Sequence, residues 1–202
     1  MDERILDAAR SVFLERGLAG ASIDEIARVA RAGKPTIYAR FPAKEALFTA
    51  VGMRNAANVI DGFREHAPVG ARLEERLASV GSSILQHLLA SDAIDFMRLS
   101  IAEARRFPEV ASVGRMARER ATHTVSALLS EAAEADAIRK YPAFAPEHLA
   151  ATTQFFIDLI ISRLFLRALF GEDLKALRAE IDTHVRGSVA FFLAACRHSG
   201  ID

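Results

Sequence analysis

Between Ser22 and Phe41 the chain is punctuated so closely that only two short helices and a tight turn fit. Ser22-Ile23-Asp24-Glu25 has the form of a capping box: the serine oxygen accepts from the backbone N–H three residues on, and the glutamate reaches back. It predicts a helix over 23–30. Gly33 breaks the pattern, and Pro35 falls in a first turn, where its missing N–H costs nothing. A helix over 35–41 follows, and Pro42 stops it. These two helices need a partner. Ile5, Ala8, Ala9, Val12 and Phe13 supply one, recurring at the spacing of one helical face with Gly17 placed to cap it.

The rest of the chain has the same periodicity. Lys44 to Glu65 reads as a longer fourth helix with Leu47, Phe48 and Val51 on one face. Ala67-Pro68-Val69-Gly70 is a seam, after which helical patterns run over 72–90, 92–106 and 109–136. Tyr141 to Pro146 is a loop, and two long helices follow over 147–170 and 173–197. No β alternation interrupts them. With 51% hydrophobic residues and few prolines, the 202-residue chain can bury a core and favours helix throughout. The expectation is an all-α protein of about nine helices, in which an N-terminal three-helix helix-turn-helix domain is joined by the long fourth helix to a C-terminal bundle.

Charge and reactive residues exclude several classes. The formal net charge is zero, so attraction to a polyanion has to be local. Cys196 is the single cysteine and reads as a small buried hydrophobe. The six histidines are not spaced as ligands on one helix face, so neither a metal nor a cofactor is expected. There is no Gly-rich phosphate loop or nucleophile motif, hence no enzyme. Asp158 interrupts an apolar run and is expected to pair with a base such as Arg163. That run, Phe155 to Phe170, falls short of the roughly 20 residues that span a bilayer, and the first residues are acidic and polar. A cytoplasmic protein without membrane contact is expected.

The helix-turn-helix is where chemistry concentrates. Its second helix carries Lys34, Thr36, Tyr38 and Arg40, polar groups that reach phosphates or base edges, over an apolar underside of Ala27, Ile37 and Phe41. The stretch Ser22-Ile23-Asp24-Glu25-Ile26-Ala27 through Thr36-Ile37-Tyr38-Ala39-Arg40-Phe41-Pro42-Ala43-Lys44-Glu45-Ala46-Leu47 resembles the DNA-binding signature of the TetR family. The resemblance covers Arg4 to Val51. It implies a DNA-binding domain over 1–50, with the motif at 22–41, and a ligand-binding and dimerisation domain over 51–202. It also implies that Ser22 caps its helix and touches phosphate, that Lys34, Pro35, Thr36 and Ala39 face the major groove, and that Tyr38 and Lys44 hold phosphates. Arg40 takes a position the family often gives to histidine. The turn departs from the family: Arg31-Ala32-Gly33 stands where glycine, valine and serine are common. Arg31 must then accept a backbone angle that glycine takes freely, and a phosphate contact from its side chain offsets this. From Ser22 to Arg54 six basic residues (Arg28, Arg31, Lys34, Arg40, Lys44, Arg54) face three acidic ones (Asp24, Glu25, Glu45), so binding should weaken with salt.

The helix over 147–170 is apolar nearly all round and must be covered on both sides. With the stripe on the last helix it suggests a four-helix dimer interface, through Phe156, Ile160, Leu164, Ile181, Val185, Val189 and Phe192. A two-fold dimer reads a pseudo-palindromic operator in double-stranded DNA. The family further implies a cavity for a small apolar or amphipathic effector, with Phe63, Leu88, Phe96, Met97, Ile101, Met116, Arg120, His123 and Phe156 as candidate ligand-binding residues. The reading is a repressor released by its effector. The alternatives are an activator, or a helical interaction protein that has lost DNA binding.

Overall fold

Helical periodicity carries through to the backbone. The computed structural model describes residues 2–64, 70, 72–106, 115, 118–119, 122–123, 125–131 and 141–198. Among these there is no strand. The elements are α1 (Asp2–Gly20), α2 (Ile23–Ala30), α3 (Lys34–Tyr38), α4 (Lys44–Arg64), α5 (Leu73–Leu88), α6 (Ser91–Glu103), a 3-10 turn (Pro142–Phe144), α7 (Leu149–Leu169) and α8 (Leu174–His198). Residues 125–131 are also helical, whereas most of the expected 109–136 helix, and the seam apart from Gly70, lie outside the described residues. Gly17 ends the first regular helix of α1 at φ +69°, ψ 171°, as expected, and a short second helical stretch within the same span buries Leu18 completely. The helix expected over 35–41 closes early, at Tyr38.

Packing divides the chain into two units that do not follow chain order. The first comprises Met1–Asn58 with Ser91–Ala117, the second Val59–Ala90 with Arg118–Asp202. α6 packs with the N-terminal helices through an aromatic ladder. Phe13 meets Phe48 edge-on at 5.1 Å, and Phe48 stacks on Phe96 at 4.7 Å. All three rings are buried beside Ile5, Ile26, Ile37 and Leu47. A fully buried side chain of this size contributes roughly 1.5–3 kcal/mol. Ion pairs edge the unit: Arg54 of α4 reaches Glu3 at 3.0 Å and Asp7 at 2.8 Å, and Arg10 pairs with Asp92 of α6.

In the second unit α5, α7 and α8 pack together. Gly81 permits the approach, since a Cβ there would lie 3.0 Å from Val185 and 3.1 Å from Ile160. Phe192 is met edge-on by Phe144 and Phe156, and Thr152 donates to the Ala143 carbonyl at 2.6 Å, tying the 3-10 turn to α7. His184 Nε2 lies 2.8 Å from the Ile160 carbonyl, an acceptor that draws the proton onto that nitrogen. At the α7–α8 turn Arg167 bridges Glu172 and Glu180. Its hydrogen bonds, to Glu172 first, raise the guanidinium pKa and hold both carboxylates below their usual range. Asp158 pairs with Arg118 at 2.8 Å and not with Arg163, because a helix turns residues five apart to different faces.

The expected dimer residues belong to this core. Phe156, Ile160, Leu164, Val185 and Val189 are fully buried within the single chain, and Ile181 and Phe192 nearly so. An all-round apolar helix does not announce which face is core; here the face with Phe156, Ile160 and Leu164 turns toward α5 and α8. The opposite face of α7 carries the exposed Phe155 and Leu166, followed by Phe170 at 90% exposure, while α8 exposes Phe191. The apolar stretch is also longer than expected. α7 has 21 residues and is long and apolar enough, by length and composition, to cross a membrane, though it buries one face in the bundle and carries Asp158, Arg163 and Arg167.

Candidate nucleic-acid interface

The geometry of the motif follows from its caps. Ser22, in extended backbone, accepts from the Glu25 N–H at 3.2 Å and starts α2. Glu25 lies 3.8 Å from Arg16, so only the serine half of the capping box is drawn into the cap. α2 buries Ile23, Ile26, Ala27 and Ala30 and ends at Arg31, which adopts φ 49°, ψ 47°. That is the left-handed region, and Arg31 is the one non-glycine with positive φ among the described residues. The chain needs this angle to reverse within three residues, and the Ala32 N–H closes the end of α2 on the Ala27 carbonyl at 3.0 Å. Gly33 then precedes α3 with no side-chain cap, as its lack of a hydroxyl dictates, and Pro35 occupies the first turn.

α3 is anchored by one residue. Ile37 is fully buried, which turns Lys34, Pro35, Tyr38, Ala39 and Arg40 outward, with Thr36 half-buried. Tyr38 is 50% exposed, an unusual position for an aromatic ring without a partner to cover it. Lys34, Pro35, Thr36, Tyr38, Ala39 and Arg40 thus lie on one short helix and the turn after it, which follow directly on the turn at Arg31.

The cations differ in availability. Lys34 is paired with Asp24 of α2, and Arg40 with Asp2 of α1. Lys44 does not project into solvent at the start of α4. Its Nζ donates to the carbonyls of Ala19 at 3.1 Å and Ala21 at 3.0 Å, where the end of α1 leaves acceptors without intrahelical donors. Lys44 is therefore first a clamp between α4 and the end of α1, with one of its three N–H groups left for another acceptor. Arg54, counted from sequence toward the basic excess, is spent on Glu3 and Asp7. The carboxylates Asp2 and Asp24 were missed as part of this surface. For Asp24 the signal was present, in its place one turn into α2, but the reversal at Arg31 that brings Lys34 back to it is a tertiary fact.

The ligand-binding candidates do not gather in one unit. Phe96, Met97 and Ile101 lie in the first; Phe96 is core, Met97 half-buried and Ile101 exposed. Leu88, His123 and Phe156 lie in the second; Leu88 is half-buried, His123 exposed and Phe156 core. The Phe63 side chain, Met116 and Arg120 lie outside the described residues.

Comparison with known proteins agrees with this architecture over nearly the whole chain. Residues 5–51 match the family described as bacterial regulatory proteins, tetR family, and residues 75–197 match the C-terminal domain of AefR-like transcriptional repressors. The HTH-type transcriptional activator FasR of Mycolicibacterium smegmatis is 30% identical over 132 residues, covering 64% of this chain. The match spans 60% of that relative's length. Among solved structures, a TetR-family transcriptional regulator from Mesorhizobium loti superposes with a TM-score of 0.79 at 24% identity, covering 96% of this chain and 95% of its own. The flavonoid-responsive regulator FrrA gives 0.74 at 27% identity, covering 98% and 97%. With both the helix-turn-helix and the C-terminal bundle matched, the chain belongs to the TetR family of transcriptional regulators, which are not enzymes.

Proposed function

We propose that this protein is a cytoplasmic, ligand-responsive repressor that binds a pseudo-palindromic DNA operator as a homodimer and is released by a small apolar or amphipathic effector. The observation that carries the reading is α3 and the turn after it: one buried anchor, Ile37, half-buried Thr36, and exposed Lys34, Pro35, Tyr38, Ala39 and Arg40 that have no role in the chain's own core. In this reading Ser22, Arg31 and Tyr38 hold phosphates, Lys34 and Thr36 reach base edges, Pro35 and Ala39 give apolar contact in the major groove, Arg40 reads a base or phosphate, and Lys44 positions α4 while offering its remaining donor.

The dimer is proposed through the uncovered faces of α7 and α8. Phe155 and Leu166 are eleven residues apart, three helical turns, and so share a face with Phe170 beyond them. On α8, Phe191 stands beside exposed Thr183, Gly187, Ala190 and Ala194, small residues that let a second helix approach closely. The effector acts by population shift, lowering DNA affinity only through its preference for one of two states. The AefR-like repressor match favours repression, although FasR is named an activator. Purified protein incubated with fragmented host DNA at moderate salt should retain fragments sharing an inverted repeat. Retention indifferent to sequence would sink the reading, and the position of the repeat relative to promoters decides repression against activation.

A further inference from the structure

We infer that Asp24 and Asp2 are built-in competitors for DNA phosphate, pairing with Lys34 and Arg40 in the free protein so that non-operator DNA is bound weakly. The inference rests on the DNA-binding reading above and deepens it. The cations at the two ends of the α3 surface each have a carboxylate in contact, contributed by a different helix: Asp24 from α2 for Lys34, Asp2 from α1 for Arg40. All four side chains are about half exposed or more, so these pairs are screened by water and add little to folding. Among the described residues the buried Asp2 Oδ1 has no hydrogen-bond partner, so stability alone gives little reason for a carboxylate there.

A tethered carboxylate acts on its cation as a phosphate does, at a fixed high local concentration. To bind any duplex the protein must exchange each intramolecular pair for a phosphate or base contact. Random DNA offers Coulomb attraction in return and nothing more, so the exchange nearly cancels. An operator adds base-edge contacts that the carboxylate cannot imitate, and the exchange becomes favourable. With a formal net charge of zero, the molecule as a whole adds no long-range attraction to a polyanion, so the local cations on and beside α3 set how strongly random DNA is held.

The test measures binding of a short random-sequence duplex, and of the inverted repeat recovered from host DNA, by fluorescence anisotropy at low and moderate salt. It compares wild type, Asp24→Asn, Asp2→Asn, Lys34→Gln and the Asp24→Asn/Lys34→Gln pair. Glu147→Gln is the control, changing net charge equally at an exposed site in the second unit. Circular dichroism verifies that each variant is folded. Each Asp→Asn change should tighten random-duplex binding by about two- to fivefold and the operator by less, with the gain of Asp24→Asn vanishing once Lys34 is Gln. A gain no larger than that of Glu147→Gln, or one that persists without Lys34, overturns the proposal while leaving DNA binding intact. Failure of every variant, wild type included, to bind either duplex at low salt overturns the DNA-binding reading and this inference with it.

Discussion

Replacing Arg31 by glycine separates two roles that the structure superimposes on one residue. Its φ of 49° and ψ of 47° lie where a Cβ crowds the following carbonyl, at a cost of roughly 1–2 kcal/mol for an L-residue. Glycine removes that cost but returns up to about 1 kcal/mol of freedom to the unfolded chain. Arg31→Gly should therefore stabilise the protein by about 0.5–1 kcal/mol, which for a chain of this size raises the midpoint by about 1–4 °C. Arg31→Ala loses the same charge and keeps the strain, so it should show no such gain. If Arg31 holds a phosphate, both variants should weaken operator binding and flatten its salt dependence. Each lost phosphate contact removes about 0.9 from the log–log slope, or about 2 for a two-fold dimer. Thermal unfolding gives the first quantity and anisotropy titrations across a salt series give the second. Equal stability of the glycine and alanine variants would refute the strain argument, and an unchanged slope would remove Arg31 from the DNA surface.

Three further outcomes follow from packing. Leu166→Asp, on the exposed face of α7, should weaken dimerisation at least about tenfold, some 1.4 kcal/mol, with the fold retained in circular dichroism; Leu164→Asp, fully buried, should instead unfold the chain, and sedimentation with circular dichroism tells them apart. Gly81→Leu should cost about 1–3 kcal/mol in urea unfolding because Val185 and Ile160 already leave a Cβ only 3.0–3.1 Å, whereas Gly81→Ala should be close to neutral, its helix-propensity gain of about 1 kcal/mol offsetting the tight contact. Burial pushes the Cys196 thiol up to about 11, so at pH 8 a thiol reagent should label the native protein far more slowly than the denatured one; equal rates would contradict its place in the core.

What the sequence determined by itself was local. Ser22, Gly33, Pro35 and Pro42 mark two short helices because capping, chain reversal and the missing proline N–H act within a few residues, and α2 begins and ends where those signals place it. The left-handed angle at Arg31 was implied by the resemblance, since Arg31 stands where the TetR family often has glycine, and the backbone adopts it. The α7 stretch was legible as buried and helical, but not which face is core. Phe156, Ile160 and Leu164 differ in no chemical property from Phe155 and Leu166, and only the approach of α5 at Gly81 and of α8 at Val185 and Phe192 separates them.

Tertiary structure also decided what the charges do. Lys44, Arg54, Lys34 and Arg40 look alike in the sequence. In the fold the first serves the carbonyls at the end of α1, the second the carboxylates of Glu3 and Asp7, and the last two are paired on the α3 surface by Asp24 and Asp2. Asp158 pairs with a base, as expected, but which base was decided in space: Arg118 lies forty positions away in the chain and 2.8 Å away in the fold. Backbone propensity is set by neighbours in sequence, so it can be read there. The availability of a charge and the burial of a face are set by neighbours in space, which come from helices far apart along the chain.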